Sequence, residues 1–311
     1  MARYAIRTLE FDKVKAMLAA KTATSLAKQA IEGIKIESEF SKVKELLEQT
    51  AEACRILDEG KRFPFGGVHN IIPHVKRAEL GGALEPEELL EVMTTAQGIS
   101  DMKDFLLESS ELAPNLSELG QGLTTQVKLV KQIAQAIDEH GEVMDKASTK
   151  LAGLRNAIII SKNRVKDKLD SILHDPNNQK YFQETLVTMR GDRYVIPVKM
   201  EYKMNFPGIV HDQSGTGATL FIEPMAVVNL NNDIKRYTAE EREEVQRILR
   251  TLSQNVGMEA KDLLLSMNIM TELDVICSKA YLAQDQDAVR PELSFNGGIV
   301  IEKGRHPLLD K

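Results

Sequence analysis

The sequence has no tryptophan and only two cysteines, Cys54 and Cys277, among 311 residues. Two cysteines so far apart are too few for the disulfide framework that holds small secreted proteins together. Both fall on the apolar faces of helix-periodic segments, so we expect buried free thiols in a reducing compartment. The sequence also lacks an apolar run near the roughly 18 residues of a membrane span and the apolar segment of a signal peptide. It therefore predicts a cytoplasmic protein with no membrane partner.

Acidic residues outnumber basic ones, and the formal net charge of −6 argues against a protein that coats nucleic acid over its whole surface. A local basic surface remains open, because affinity for nucleic acid depends on where lysine and arginine lie. Hydrophobic residues make up 42% of the chain and charged residues 28%, values that are typical of a folded protein. The length is sufficient for two compact units or for one extended helical body with an insertion.

The motifs of several enzyme classes are absent. The six histidines form no H-E-x-x-H or Cys/His cluster, so we expect no metal site. No G-x-x-x-x-G-K-[ST] occurs, so the loop and lysine that hold ATP phosphates are missing, and we expect no cofactor in this chain. His211, Asp212 and Ser214 are residue types of a hydrolytic triad, but successive strand side chains point to opposite faces. We therefore predict no catalytic residue.

Short strand patterns occupy the region 187–232, between two long helical patterns. The candidate strands are rich in β-branched and aromatic residues and lie at 187–190, 194–198, 208–212 and 219–222. Gly191-Asp192 is a two-residue connection of the kind that closes a β-hairpin. These signals predict a small antiparallel sheet of about four strands.

The flanks of this region carry helical periodicity. Apolar residues recur at helical spacing from Val143 to Ile172 and again from Leu230 to Cys277. Because no proline interrupts the second run, it predicts one helix of roughly 75 Å. We expect the two helices to pair antiparallel, like a coiled coil, with the sheet at their tip. The predicted seam between them consists of Ile158, Leu169, Ile248, Leu252 and Leu263.

The remaining periodic segments predict helices at 6–18, 26–36, 40–57, 86–107 and 123–137, and a hairpin around 293–302. The fold class is therefore mostly α with a small antiparallel β insertion. We expect a helical core (1–141), an ascending lever helix (142–180), a β-rich clamp (181–225), a descending lever helix (226–284) and the start of a further domain (285–311).

Two groups of basic residues are candidates for nucleic-acid contact. The first group follows the ascending helix, and the second lies in the β region among Tyr194, Tyr202 and Phe206. Basic side chains can hold a phosphate backbone, and aromatic rings can stack on bases. The candidates are Arg155, Lys162, Arg164 and Lys166 in the first group and Arg190, Arg193, Lys199 and Lys203 in the second. The alternative is that they form a solvated helix face and a small sheet core.

Three segments resemble a known family. Residues 208–224, GIVHDQSGTGATLFIEP, resemble the clamp signature of the second class of bacterial MutS proteins, the branch without the mismatch-reading domains of repair MutS. Residues 8–14, TLEFDKV, resemble the N-terminus of that branch, and residues 303–309, KGRHPLL, resemble the start of the MutS ATPase domain. The resemblance covers essentially the whole chain.

The resemblance implies a parent protein that is a dimeric ATPase, which binds ATP and Mg²⁺ and carries a C-terminal Smr endonuclease domain. It implies two possible substrates: branched DNA, with a role in limiting recombination, or the rRNA of stalled or collided ribosomes, with a role in rescue. Because the phosphate loop is absent, we expect an N-terminal fragment that by itself performs neither ATP hydrolysis nor nucleic-acid cleavage. The alternative function is a non-enzymatic helical scaffold that binds another protein through its long arm.

Overall fold

The computed structural model describes residues 8–294 and 298–309. This part of the chain is mostly helical and contains one four-stranded antiparallel sheet, which confirms the predicted fold class. The chain divides into two compact units. One is Val143–Leu249, here called the insertion unit, and the other, the body unit, consists of the residues before and after it. None of the helices in the described ranges is long and apolar enough to cross a membrane.

The body unit is built from helices. They are α1 (Phe11–Ala19), α2 (Ser25–Glu32), α3 (Phe40–Asp58), α4 (Ile72–Glu79), α5 (Pro86–Glu108), α6 (Pro114–Gln121), α7 (Val127–Ala136) and α10 (Ala260–Gln286). The sequence prediction missed α4 and α6. Both have a proline in the first turn, where the missing N–H costs nothing.

Buried carboxylates hold two of these helices at their first turns. Asp274 of α10 accepts hydrogen bonds from the backbone N–H groups of Ala23 and Thr24, at 3.0 and 2.8 Å, just before α2. Glu52 of α3 accepts one from the N–H of Leu116, at 2.9 Å, in the first turn of α6. The first N–H groups of a helix have no partner within the helix, so these contacts satisfy them and place a negative charge at the positive end of the dipole.

The insertion unit contains the sheet. Its helices are α8 (Thr149–Leu173) and the part of α9 (Met225–Met258) up to Leu249, and its strands are β1 (Thr188–Arg190), β2 (Arg193–Lys199), β3 (Gly208–Gln213) and β4 (Thr219–Pro224). The strand order is β1-β2-β4-β3, with antiparallel neighbours throughout and a β-bulge at His211. Gly191 and Asp192 both have positive φ, 52° and 62°, as the tight hairpin turn requires.

One face of the sheet packs on α8 and α9. This core includes Leu169 of α8, Ile196 of β2, Ile222 of β4 and Ile234 of α9, together with the aromatic side chains of Phe182 and Phe206. Two 3₁₀ helices, Gln179–Tyr181 and Met200–Asn205, lie at the edge of this core, where the rings of Tyr181 and Tyr202 meet. A four-stranded sheet is near the lower limit of independent stability, so the helices stabilise it.

The prediction of a single long descending helix is wrong, because the helix is interrupted at residue 259. The helix α9 ends at Met258 and α10 begins at Ala260, because Glu259 leaves the helical conformation with φ −93° and ψ 8°. Gly257 lies so close to α4 that an added Cβ would be 2.6 Å from the carbonyl oxygen of Ala78. The predicted seam is divided accordingly: Ile158, Leu169 and Ile248 are buried in the insertion unit, whereas Leu252 and Leu263 are buried in the body unit.

Part of the predicted hairpin around 293–302 lies outside the described residues. Residues 291–294 and 298–301, which flank the gap, form no strand. The first residues of the predicted helix 6–18 also lie outside the described ranges, and α1 begins at Phe11.

Candidate nucleic-acid interface

Arg193, one of the predicted contacts, belongs to a buried polar network around Glu223. The Glu223 side chain is fully buried on β4 and accepts hydrogen bonds from Arg193 Nη1 and Asn231 Nδ2, both at 2.8 Å. His211 Nε2 lies 2.6 Å from its second oxygen, and Arg193 Nη2 also donates to Asn232 Oδ1 at 2.6 Å. The network joins β2, β3, β4 and the start of α9. Arg193 therefore has a structural partner for each end of its guanidinium group.

Arg190 also has its charge matched by an acid. Its Nε lies 2.9 Å from Asp212 Oδ2, and its guanidinium group lies over the ring of Phe221, 3.8 Å from the centroid. Because Arg190 is on β1 and Asp212 on β3, this pair joins the two outer strands of the sheet across the strands between them. The planar guanidinium group suits both contacts, which a lysine could not make together.

Arg155 on α8 has two acidic partners. Its Nη1 lies 2.5 Å from Asp145 and 2.8 Å from the carbonyl of Val143, and its Nε donates to Glu241 of α9 at 2.8 Å. Burial by itself lowers the pKa of Arg155, but hydrogen bonds to Asp145 and Glu241 outweigh it, and the pKa is raised. Arg155 therefore connects α8 with its neighbours and is a poor candidate for a phosphate contact.

The other candidates on α8 are exposed. Lys162, Arg164 and Lys166 form no ion pair with any residue that the structure describes. At 100° per residue, Lys162 and Lys166 lie on one side of the buried stripe that contains Val165, and Arg164 lies on the other side. The three cations therefore do not form one continuous patch, as the run of basic letters in the sequence suggests.

A more concentrated group of cations lies on the 3₁₀ helices Gln179–Tyr181 and Met200–Asn205 and at the adjoining end of β2. We call Lys180, Lys199 and Lys203 the lysine cluster. Lys199 Nζ lies 3.4 Å from the carbonyl oxygen of Lys180, and the rings of Tyr181 and Tyr202 meet edge to face at 5.3 Å. The residues 179–181 and 199–205 contain these three lysines and a single acid. In the described part of the chain, none of the three lysines forms an ion pair.

Sequence reasoning missed Lys180. The residue precedes the first strand and was assigned to the end of the lever helix, so nothing in the pattern connects it with Lys199 and Lys203. The contact between Tyr181 and Tyr202 brings the two segments together. Lys180-Tyr181 places a lysine next to a tyrosine, as Tyr202-Lys203 does in the reverse order, and this adjacency is the signal that could have indicated Lys180.

The chemistry that this arrangement supports is phosphate binding. Ammonium groups without acidic partners can approach a phosphate backbone and release its counterions. The packed, partly buried rings of Tyr181 and Tyr202 fix the backbone that carries the lysines, so little order has to be gained on binding. No group of three histidine, cysteine, aspartate or glutamate side chains that could hold a metal ion occurs in the described residues. The lysine cluster is thus the candidate nucleic-acid interface.

Several known proteins that are similar to this chain carry the same name. No protein-family model matches it. The endonuclease MutS2 of Symbiobacterium thermophilum is 45% identical over 304 residues, which are 98% of this chain and 38% of that relative. Almost the whole chain is therefore similar to one part of endonuclease MutS2. Endonuclease MutS2 of Shouchella clausii is 40% identical over 97% of this chain, and that of Geobacillus thermodenitrificans is 40% identical over 100% of this chain.

The chain spans about two fifths of the length of these MutS2 proteins. Their name agrees with the resemblance of residues 208–224 to the clamp signature of the second MutS class. These relatives do not favour the alternative of a non-enzymatic scaffold. The positions of the lysine cluster and of the other candidate cations come from the structure alone.

Proposed function

We propose that this chain is the nucleic-acid-clamping part of a MutS2-type protein and that the insertion unit makes the contact. The observation that carries the proposal is the lysine cluster, in which three cations without acidic partners lie on two segments fixed by Tyr181 and Tyr202. A relative called an endonuclease acts on the phosphodiester backbone, and a phosphate-binding surface serves that activity. Of the eight predicted contacts, Lys199 and Lys203 belong to this interface, and Lys180 joins them.

The wider activity belongs to the whole protein. We propose that the parent binds ATP and Mg²⁺, cleaves nucleic acid and acts as a homodimer in the cytoplasm. We assign the reactions to segments other than this chain, because no phosphate loop occurs in it. Branched DNA is the proposed substrate, with a role in limiting recombination. The rRNA of stalled or collided ribosomes is the second substrate that the resemblance implies, and the experiment below separates the two.

Binding of the chain to a four-way DNA junction, a matched duplex and ribosomes, measured at two salt concentrations, tests the proposal. The triple variant Lys180→Ala, Lys199→Ala and Lys203→Ala should bind the preferred substrate more weakly. Its salt dependence should be flatter by about 0.9 in the log–log slope for each lost contact to duplex phosphate.

The matched control removes the same charge from the body unit. Lys76, Lys128 and Lys131 are exposed lysines, and their replacement by alanine should leave affinity and salt slope unchanged. A lysine-cluster variant that is folded and binds like the parent chain would contradict the proposed interface. An equal loss in the control variant would show that total charge, and not this surface, determines binding.

A further inference from the structure

Met204 is the most exposed large apolar side chain in the described part of the molecule. Its exposed fraction is 93%, compared with 46% for Met200 in the same 3₁₀ helix and 48% for Met189 on β1. Single exposed apolar residues are common on protein surfaces. The exposure of Met204 is unusual because it is nearly complete and because the residue lies inside an anchored segment.

The backbone on both sides of Met204 is fixed by aromatic rings. Tyr202, two residues before it, meets Tyr181 at 5.3 Å, and Phe206, two residues after it, is buried and meets Phe182 at 5.6 Å. The N–H of Phe206 also donates to the carbonyl of Tyr202 at 3.2 Å. Met204 therefore projects from a short, held turn rather than from a frayed chain end.

The charges beside Met204 indicate what the side chain meets. Lys203 directly precedes it and belongs to the lysine cluster, whose members have no acidic partner among the described residues. An apolar side chain next to cations is complementary to nucleic acid, in which an apolar base stack lies between two phosphate backbones. Proteins that distort nucleic acid insert methionine and similar side chains between base steps in this way.

We propose that Met204 is a wedge that enters an open base step at a DNA branch point, while the lysine cluster holds the flanking phosphates. This inference rests on the proposed function and names the feature of the substrate that is recognised. Stacking is already interrupted at a branch, so insertion there costs less than in a continuous duplex. The flexible, polarisable thioether of methionine adapts to an irregular step. The wedge thereby favours junctions over regular duplex.

A fluorescent base reports on the wedge directly. The chain is added to a four-way junction that carries 2-aminopurine at the branch point. It is also added to a matched duplex that carries 2-aminopurine at the same position in the sequence. Insertion unstacks this base, so we expect fluorescence to rise on the junction and to change little on the duplex. Met204→Ala should lose most of this rise and weaken junction binding by about fivefold, the effect of losing part of a buried methionine side chain.

Matched variants separate the wedge from general binding. Met204→Leu should retain the fluorescence rise, and Met189→Ala, which removes a half-exposed methionine from the sheet, should behave like the parent chain. Met204→Ala removes no charge, so the salt dependence of its binding should equal that of the parent chain. Lys203→Ala removes one charge, so its salt dependence should be flatter.

The possible failures are distinguishable. If the parent chain binds no nucleic acid, the proposed function and the wedge both fail. If it binds the junction but leaves the fluorescence unchanged, or if Met204→Ala gives the same rise, the wedge alone is overturned. A loss of ribosome binding in Met204→Ala with intact junction binding would overturn the assignment of the wedge to DNA.

Discussion

Ser148 and Glu244 connect the first turn of α8 to α9. The Ser148 hydroxyl accepts a hydrogen bond from the N–H of Leu151 as the N-cap of α8, and it donates to Glu244 Oε1 at 2.7 Å. Glu244 is buried and also accepts two hydrogen bonds from Arg247, at 2.7 and 3.0 Å. These bonds, first that from Arg247 and then that from Ser148, lower the pKa of Glu244 from 4.5 to about 2.

The first prediction is a loss of stability in acid that depends on Glu244. Because its folded pKa of about 2 lies below the ordinary value of 4.5, the unfolded chain binds more protons in this range. The stabilising effect is therefore complete above about pH 4.5 and decreases as the pH falls towards 2. In urea unfolding, the free energies of unfolding of the parent chain and of Glu244→Gln should converge as the pH falls from about 4.5 towards 2. Glu243→Gln, at the exposed neighbour, should follow the parent chain, and parallel curves for Glu244→Gln would contradict the prediction.

The second prediction separates a structural arginine from a binding lysine in the same sheet region. Arg193→Ala leaves the buried Glu223 carboxylate without one of its partners and should cost about 3 kcal/mol of stability. Lys203→Ala removes an exposed side chain and should change stability by less than about 0.5 kcal/mol. Chemical denaturation measures both values. Equal stabilities for the two variants would show that the network around Glu223 contributes little.

The third prediction concerns Leu252, which is buried in the body unit. Leu252→Asp places a charge among apolar side chains without a partner and should cost several kcal/mol, of the order of 3 to 5. Gln254→Asp introduces the same charge two residues away at an exposed position and should be nearly neutral. Thermal unfolding followed by circular dichroism compares them. A melting curve for Leu252→Asp that superimposes on that of Gln254→Asp would refute the buried position.

The fourth prediction uses one substitution at two glycines. Ala is favoured over Gly inside a helix by about 1 kcal/mol, so Gly153→Ala on α8 should stabilise the protein, since apart from its chain neighbours and the nearby backbone of α8 no atom lies within 4 Å of the new Cβ. Gly257→Ala places a Cβ 2.6 Å from the carbonyl oxygen of Ala78, which is backbone and cannot move aside cheaply. It should destabilise by about 1 to 3 kcal/mol. Denaturant unfolding measures the free energy of unfolding of each variant. A change of the same sign in both variants would contradict the close approach of α9 to α4.

The local signals in the sequence predicted the sheet well. Gly191-Asp192 tolerates the two positive φ angles of a tight hairpin turn, and the β-branched runs on both sides then form the strands. The long helices were predicted from periodicity, but the end of α9 was not. Near that end Gly257 packs against Ala78, a residue far from it in the sequence, and no local pattern reports such a contact.

The candidate site was predicted less well for the same reason. Sequence identifies cations but not the acids that meet them after folding. Arg193 and Glu223 are 30 residues apart, and Arg155 and Glu241 are 86 residues apart, so their pairing depends on the complete sheet and on the position of α9. Lys203, whose neighbours in the sequence already anchor it through Tyr202 and Phe206, is the residue for which the local pattern and the folded structure agree.

The β-bulge at His211 has a consequence for the solubility of the molecule. β3 is an outer strand of the sheet, with Ile209 and Val210 exposed on it, and such an edge invites the strand of another copy to extend the ladder. The bulge shifts the register between Val210 and Asp212, so a regular strand from a neighbour can match only one half of β3 at a time. The edge therefore remains open to solvent while resisting the addition of strands from other copies, which leads to aggregates.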